Sequence, residues 1–433
     1  MSINRSILRL ALPSVVSNIT VPLLGLVDLS IVGHLGSSEQ IGAIAIGTTS
    51  FNMLYWIFAF LRMGTTGLTS QSHGAKQSDE CAATLLRALL AGIAISLILC
   101  VFQSPILQLV TSMMQPSAAV MPFFSTYFSI CIWGAPAILC SYALTGWFIG
   151  MQNTRIPMLV AIVQNVLNIM LSLILVLSLG WGLKGVAAGT VIGLYGGLAL
   201  AVLLASRLWR KEQLTAPSLR HILNRRSMLK FVTINTDIFL RTLCLVSVMT
   251  FFTYAGSHQG DEYLAANALL MEFFMLYSFF MDGLANAAEA LSGESQGAND
   301  HTLLRHTILR LFEWAVVLGT VFTLLYIIGG LQMLQWLTDQ VSVVFTAYHY
   351  LPWIWAVPLV SVMAFVWDGV FIGLCWSRGM LISMFCATVV FFAIYFGCIN
   401  NMHNNALWMA FVCYLATRGL VQTGIWFSNK NNK

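Results

Sequence analysis

The sequence predicts an all-α polytopic membrane protein: twelve transmembrane helices in two six-helix lobes related by a parallel pseudo-twofold repeat. Three observations predict it. Of 433 residues, 58% are hydrophobic and only 9% charged, whereas a soluble domain carries about 25% charged residues. Apolar stretches of about 20 residues, enough to cross about 30 Å of hydrocarbon, recur along the chain. Three motifs of the first half also return in the second, each 222 or 223 residues on. The formal charge of +5 is too small and too patchy to suggest a nucleic-acid partner.

The spans lie at 7–33, 41–70, 83–110, 119–149, 156–179, 185–206, 228–255, 263–294, 304–330, 342–373, 379–399 and 405–427. Arg5 and Arg9 ahead of the first could mimic a secretory signal. That run is too long and no small-residue cleavage site follows, so it reads as a span. Pro13, Pro22, Pro136 and Pro358 fall inside spans, where kinks are tolerated if neighbours satisfy the freed carbonyls. Between the sixth and seventh spans comes the one sizeable hydrophilic stretch, 207–227. It divides the chain into an N-lobe (1–206), a linker and a C-lobe (228–433).

The basic residues set the orientation. Of 21 Lys and Arg, all but Lys184, Arg62, Arg241 and Arg418 fall at inner ends when the N-terminus is placed inside. That asymmetry puts both termini and the linker in the cytoplasm.

The halves repeat. FNMLYWIF at 51–58 returns as FFMLYSFF at 273–280, and Trp133-x-x-Pro136 as Trp355-x-x-Pro358. GWFIGMQNTR at 146–155 returns as GVFIGLCWSR at 369–378. Six spans per repeat leave both halves with the same orientation, so their twofold axis runs along the membrane normal. Two such bundles are expected to meet at a cleft, where transporters bind substrate.

Enzyme signals are missing. The nine cysteines are scattered through apolar runs without a C-x-x-C pair, and no His pair has metal spacing. No phosphate-binding G-x-x-x-x-G-K-[ST] occurs. GESQG at 293–297 fits G-x-S-x-G, but a nucleophile elbow needs a preceding strand, and here a long apolar helix precedes it. No cofactor is implied.

What remains is charge inside the membrane, where each ionised group needs a partner or a role. Asp28 lies in the outer half of the first span with no cation at its depth. Desolvation raises such a carboxylate's pKa and lets it exchange a proton for a cationic ligand; a permanently protonated, hydrogen-bonded Asp is the other reading. Gln164, Asn168 and Ser172 share one face of the fifth span, beside Asn165, as polar company for Asp28 or as glue between helices. In the second half, Asp237 and Arg241 read as an internal i, i+4 pair, and Asp282 and Glu289 share a face of the eighth span. With Asp368, these make up to four carboxylates against one arginine. That cluster suits a Na⁺ held by Asp237, Glu289 and Asp368, a shared proton, or a structural ion-pair network. Arg418 reads as a cap for inner-side carbonyls or as a side chain that snorkels to the interface.

VDLSIVGHLG (27–36), FLRMGTTGL (60–68), GWFIGMQNTR (146–155), NTDIFLR (235–241) and WDGVFIG (367–373) together resemble the multidrug and toxic compound extrusion (MATE) family, most closely its DNA-damage-inducible F branch. The resemblance runs over essentially the whole chain. It implies a monomeric antiporter of the bacterial inner membrane that exports cationic or amphipathic small molecules in exchange for H⁺ or Na⁺. By resemblance, Asp28 is the first-helix coupling carboxylate, Pro13 the site of first-helix bending, and Asn168, Tyr142 and Thr190 line the N-lobe cavity. Ser172 stands where many relatives have Asp, which leaves Asp28 as the only carboxylate of that site. Asp368 falls on the tenth-helix acidic position of other branches' Na⁺ site. Two rivals stay open. A lipid-linked oligosaccharide flippase would want cationic residues around its cavity, and a non-transporting scaffold would want scattered carboxylates.

Overall fold

The computed structural model describes the backbone of residues 2–35 and 37–431 and the side chains of 2–20 and 37–429. Among the described residues there is no strand. Ten helical passes are long and apolar enough to cross a membrane. Among the described residues, a further helix of 33 residues precedes them and one of 28 residues follows.

The chain divides into two compact units, Val16–Val232 and Met1–Val15 with Thr233–Lys433. Helix α1 (Ile3–Leu35) contributes to both. The Val16–Val232 unit continues with α2 (Ser38–Ile57), α3 (Phe60–Gly74), α4 (Ser78–Val101), α5 (Gln103–Met114), α6 (Met121–Cys131) and α7 (Ala135–Gly150). It ends with α8 (Arg155–Leu173), α9 (Gly182–Lys211), the short α10 (Leu219–Ile222) and the start of α11 (Arg225–Ser257). The other unit holds most of α11, then α12 (Asp261–Gly297), α13 (His301–Leu337), α14 (Val341–Gly373), α15 (Ser377–Met402) and α16 (Asn404–Asn431).

Three passes expected as continuous spans are interrupted in the Val16–Val232 unit. The span at 83–110 breaks at Phe102, between α4 and α5. Pro105 has no N–H for the carbonyl four residues earlier, so the ladder restarts with the Ile106 N–H on the Phe102 carbonyl at 3.1 Å. The span at 119–149 tightens into a 3₁₀ turn at Ile132–Gly134. Pro136 has no N–H for the Ile132 carbonyl, which accepts instead from the Ala135 N–H within the 3₁₀ turn and from Cys100 Sγ of α4 at 3.7 Å. Tyr195 of α9 donates to the next carbonyl, that of Trp133, at 3.0 Å. The span at 41–70 breaks between α2 and α3, where the N–H groups of Phe58 and Ala59 bond three residues back at 3.0 and 3.1 Å. In the other unit α12 and α13 run unbroken for 37 residues each, about 55 Å at 1.5 Å per residue. Helix α14 also continues through Pro352 and Pro358.

The sequence repeat becomes a packing repeat. In α7, a Cβ at Gly146 would stand 3.0 Å from the Arg62 carbonyl carbon, and one at Gly150 3.0 Å from the Ser70 nitrogen. In α14, Cβ atoms at Gly369 and Gly373 would stand 2.5 Å from the Ala285 carbonyl oxygen and 2.8 Å from the Gly293 nitrogen. Each glycine pair, four residues apart, lets the fourth pass of its half lie on the backbone of the second. The motif that looked like a nucleophile elbow lies inside α12, where Ser295 bonds the Leu291 carbonyl at 2.9 Å and Gly293 sits under Gly373.

The linker is tied down. Buried Arg87 of α4 donates from Nε to the Ile222 carbonyl and from Nη2 to the His221 carbonyl, both at 2.8 Å. Its Nη1 meets Glu80 at 2.5 Å, and the other Glu80 oxygen lies 2.8 Å from His221 Nε2. One guanidinium thus reads two carbonyls at the open end of α10, where a cation is favoured. Arg87→Met should leave those carbonyls unpaired and free the linker. We expect trypsin to cut it several-fold faster than in the parent; an unchanged rate would mean that other contacts hold α10.

Candidate functional site

In each unit, one group of polar side chains includes candidate residues of the sequence. In the Thr233–Lys433 unit the centre is Asp368 of α14, 6% exposed. Arg241 of α11 and Arg418 of α16 both bring Nη2 to its Oδ2. Gln422 donates to its Oδ1 at 2.6 Å, and Arg418 Nε lies 3.4 Å from that same oxygen. The Arg418 guanidinium also stands 5.8 Å from the centroid of the Phe365 ring, within reach of a cation–π attraction. Arg418 and Gln422 are four residues apart on α16, hence on one face.

This arrangement corrects two readings. Arg418 is a buried partner of Asp368 rather than an interfacial side chain, so the cluster holds two arginines, not one. Arg241 reaches across to Asp368, while Asp237 accepts from Ser377 of α15 at 2.7 Å; both residues look outward from α11 to other helices. Glu289 is buried on α12 at 2% exposure, and Asp282 on the same helix is exposed. Among the described residues, no three His, Cys, Asp or Glu side chains gather as a metal site.

In the Val16–Val232 unit the polar face of α8 is turned onto a stripe of glycines. Gly185, Gly189, Gly193 and Gly197 recur every fourth residue of α9. A Cβ at Gly189 would stand 2.7 Å from the Ser172 nitrogen, one at Gly193 3.0 Å from the Asn168 Cα, and one at Gly197 2.7 Å from Gln164 Oε1. Asn168 and Ser172 are buried, and the Ser172 hydroxyl lies 3.4 Å from Asn168 Oδ1. The stripe extends to a π-helical turn at Ile174–Ser178, where Gly185 meets Leu175. Asn165, on another side of α8, reaches α1: its Nδ2 donates to the Thr20 carbonyl at 3.1 Å.

Tyr142 of α7 is partly buried against the aromatic core around Phe51, Tyr55 and Phe128. Thr190 of α9 returns its hydroxyl to the Val186 carbonyl of its own helix at 3.0 Å. Pro13 lies within α1, next to buried Ser14, which bonds the Leu10 carbonyl at 3.0 Å. The Asp28 side chain lies outside the described residues; its backbone is part of α1, about 12 Å along the axis from Thr20. The structure therefore brings Asn168 and Ser172 together, and Asp368 with Arg241; among the described residues Asp237, Glu289 and Asp368 do not gather as a metal site. The Gln422 contact was missed, although the spacing of Arg418 and Gln422 signalled it. The reach of Asn165 to α1 had no signal beyond an amide beside the polar face.

Comparison with known proteins agrees with this architecture. The MatE family model matches residues 13–174 and 238–396. DNA damage-inducible protein F of Escherichia coli (strain K12) is 34% identical over 98% of this chain and 92% of its own length. Protein DETOXIFICATION 44, chloroplastic, of Arabidopsis thaliana is 25% identical over 86% of this chain and 72% of its own. Among solved structures, an outward-facing multidrug resistance MATE family transporter of the MOP superfamily superposes with a TM-score of 0.86 at 17% identity, covering 99% of this chain and 96% of that one. These relatives are transporters, not enzymes, and with a matching family model, a full-length relative and a shared two-lobe helical fold, the chain belongs to the MatE family of membrane transporters.

Proposed function

We propose that the protein is a secondary active efflux antiporter. It exports organic cations or amphipathic toxic compounds in exchange for H⁺ or Na⁺, by alternating access, as a monomer in the bacterial inner membrane with both termini cytoplasmic. Asp28 is its protonation and coupling site. The reading rests on the family and on one observation: both oxygens of Asp368 are occupied by Arg241, Arg418 and Gln422. A carboxylate so engaged is poorly placed to trade a proton or Na⁺ for substrate, which supports the first-helix carboxylate in that role. The cycle follows from its charge. Ionised Asp28 attracts a cationic substrate, protonation from outside removes that attraction, and the substrate leaves outward.

Purified protein in proteoliposomes loaded with a fluorescent organic cation tests this under separate H⁺ and Na⁺ gradients. We expect gradient-driven flux from the parent and flux at the level of empty liposomes from Asp28→Asn. Unimpaired flux from Asp28→Asn would overturn the coupling role. No flux from the parent under either gradient would favour the flippase reading.

A further inference from the structure

The linker has a chemistry that transport does not use. Between 207 and 226 it carries six basic residues, Arg207, Arg210, Lys211, Arg220, Arg225 and Arg226, against one acid, Glu212. All seven side chains are exposed. The segment is nevertheless fixed: Ile222 is buried, Leu214 packs on the core of its unit, and Arg87 grips the His221 and Ile222 carbonyls. That fixation leaves Leu219, the first residue of α10, and Leu223, just past its end, exposed at 76% and 59%. A solvated loop has no use for two outward leucines.

The membrane supplies a fitting partner. The linker leaves one membrane-crossing helix, α9, and enters the next, α11, so it is held at headgroup depth. Basic side chains there feel an anionic leaflet within a Debye length of about 8 Å. Apolar side chains among basic ones form the composition that beds into the boundary between headgroups and acyl chains. We propose that α10 and its flanking arginines are a docking surface for anionic phospholipids in the leaflet on the linker's side, with Leu219 and Leu223 inserted and the arginines on the phosphates.

The test is amide hydrogen exchange of the full chain in nanodiscs made from phosphatidylcholine alone or with phosphatidylglycerol added. Discs expose both faces, so the result does not depend on orientation. We expect amides 213–224 to exchange several-fold more slowly with the anionic lipid. The effect should vanish in 1 M salt and in the Leu219→Ser/Leu223→Ser double variant, while α12 exchanges alike in every sample. Equal exchange in the two lipids would overturn the proposal. So would protection that survives in the serine variant, because any basic loop would then show it, or protection by added RNA but not by lipid.

Discussion

Replacing Asp368 by alanine is expected to destabilise the protein by about 3–5 kcal/mol, the cost of leaving a buried charge without its partner. Two guanidiniums would lose this carboxylate, both from side chains with 7% exposure or less. The readout is the midpoint of thermal or denaturant unfolding in detergent. Asp368→Asn keeps an acceptor for Gln422 but removes the charge, and should fall between alanine and the parent. Exchanging the three charged members and Gln422 together, Asp368→Leu with Arg241→Met, Arg418→Met and Gln422→Leu, should recover much of the loss, because apolar side chains need no partner. A parent-like midpoint for Asp368→Ala would mean that Arg241 and Arg418 are held by other groups. The same series bears on transport. If Asp368 locks its unit, its variants lose protein rather than coupling, and flux per folded molecule stays near the parent's.

The second large effect is expected on the glycine face of α9. A Cβ at Gly189 would meet the Ser172 hydroxyl, stand 2.7 Å from its backbone nitrogen and 2.9 Å from its Cα. Backbone cannot swing aside as a flexible side-chain end can, so Gly189→Val must push α8 and α9 apart. Overpacking of this kind costs about 1–3 kcal/mol and sometimes more. Gly329 of α13 is the control, since a Cβ there meets nothing within 4 Å. Alanine at a helical glycine removes conformational freedom from the unfolded chain, so Gly329→Ala should be neutral or stabilising by about 0.5–1 kcal/mol. If the two variants melt alike, the α8–α9 contact is not the constraint that its geometry suggests.

Much of the fold was legible because apolar length and internal repetition are one-dimensional signals. The motif at 146–155 and its return at 369–378 pointed to equivalent positions, and Gly146 and Gly369 do occupy equivalent contacts. The interruptions were less legible. Pro105 and Pro136 lie close to two of them, yet Pro358 sits within an unbroken α14. Whether a proline breaks a pass depends on which neighbour takes the freed carbonyl, and Cys100 lies 32 residues from Ile132. The break between α2 and α3 has no proline or glycine beside it. Pairing over distance was hidden for the same reason. Arg241 and Asp237 looked like partners because they are close in sequence, whereas Asp368, which Arg241 meets, is 127 residues away. The polar face of α8 was read correctly as a face, but its period could not tell a cavity from a glycine stripe.

The division of α1 has a consequence for biosynthesis. Residues 1–15 belong to the same compact unit as Thr233–Lys433, and Ala11 and Val15 lie under Gly283 of α12, about 270 residues further on. At about 5–20 residues per second of synthesis, the two sides of that contact are made on the order of tens of seconds apart. For that interval the early turns of α1 are in the membrane without their packing partner. The Val16–Val232 unit can gather its own helices meanwhile, but the other unit closes only when the chain returns to its own beginning. Assembly is therefore not strictly vectorial: the amino-terminal turns are held in waiting, and a truncation before α12 would strand them however well the rest of the first half had folded.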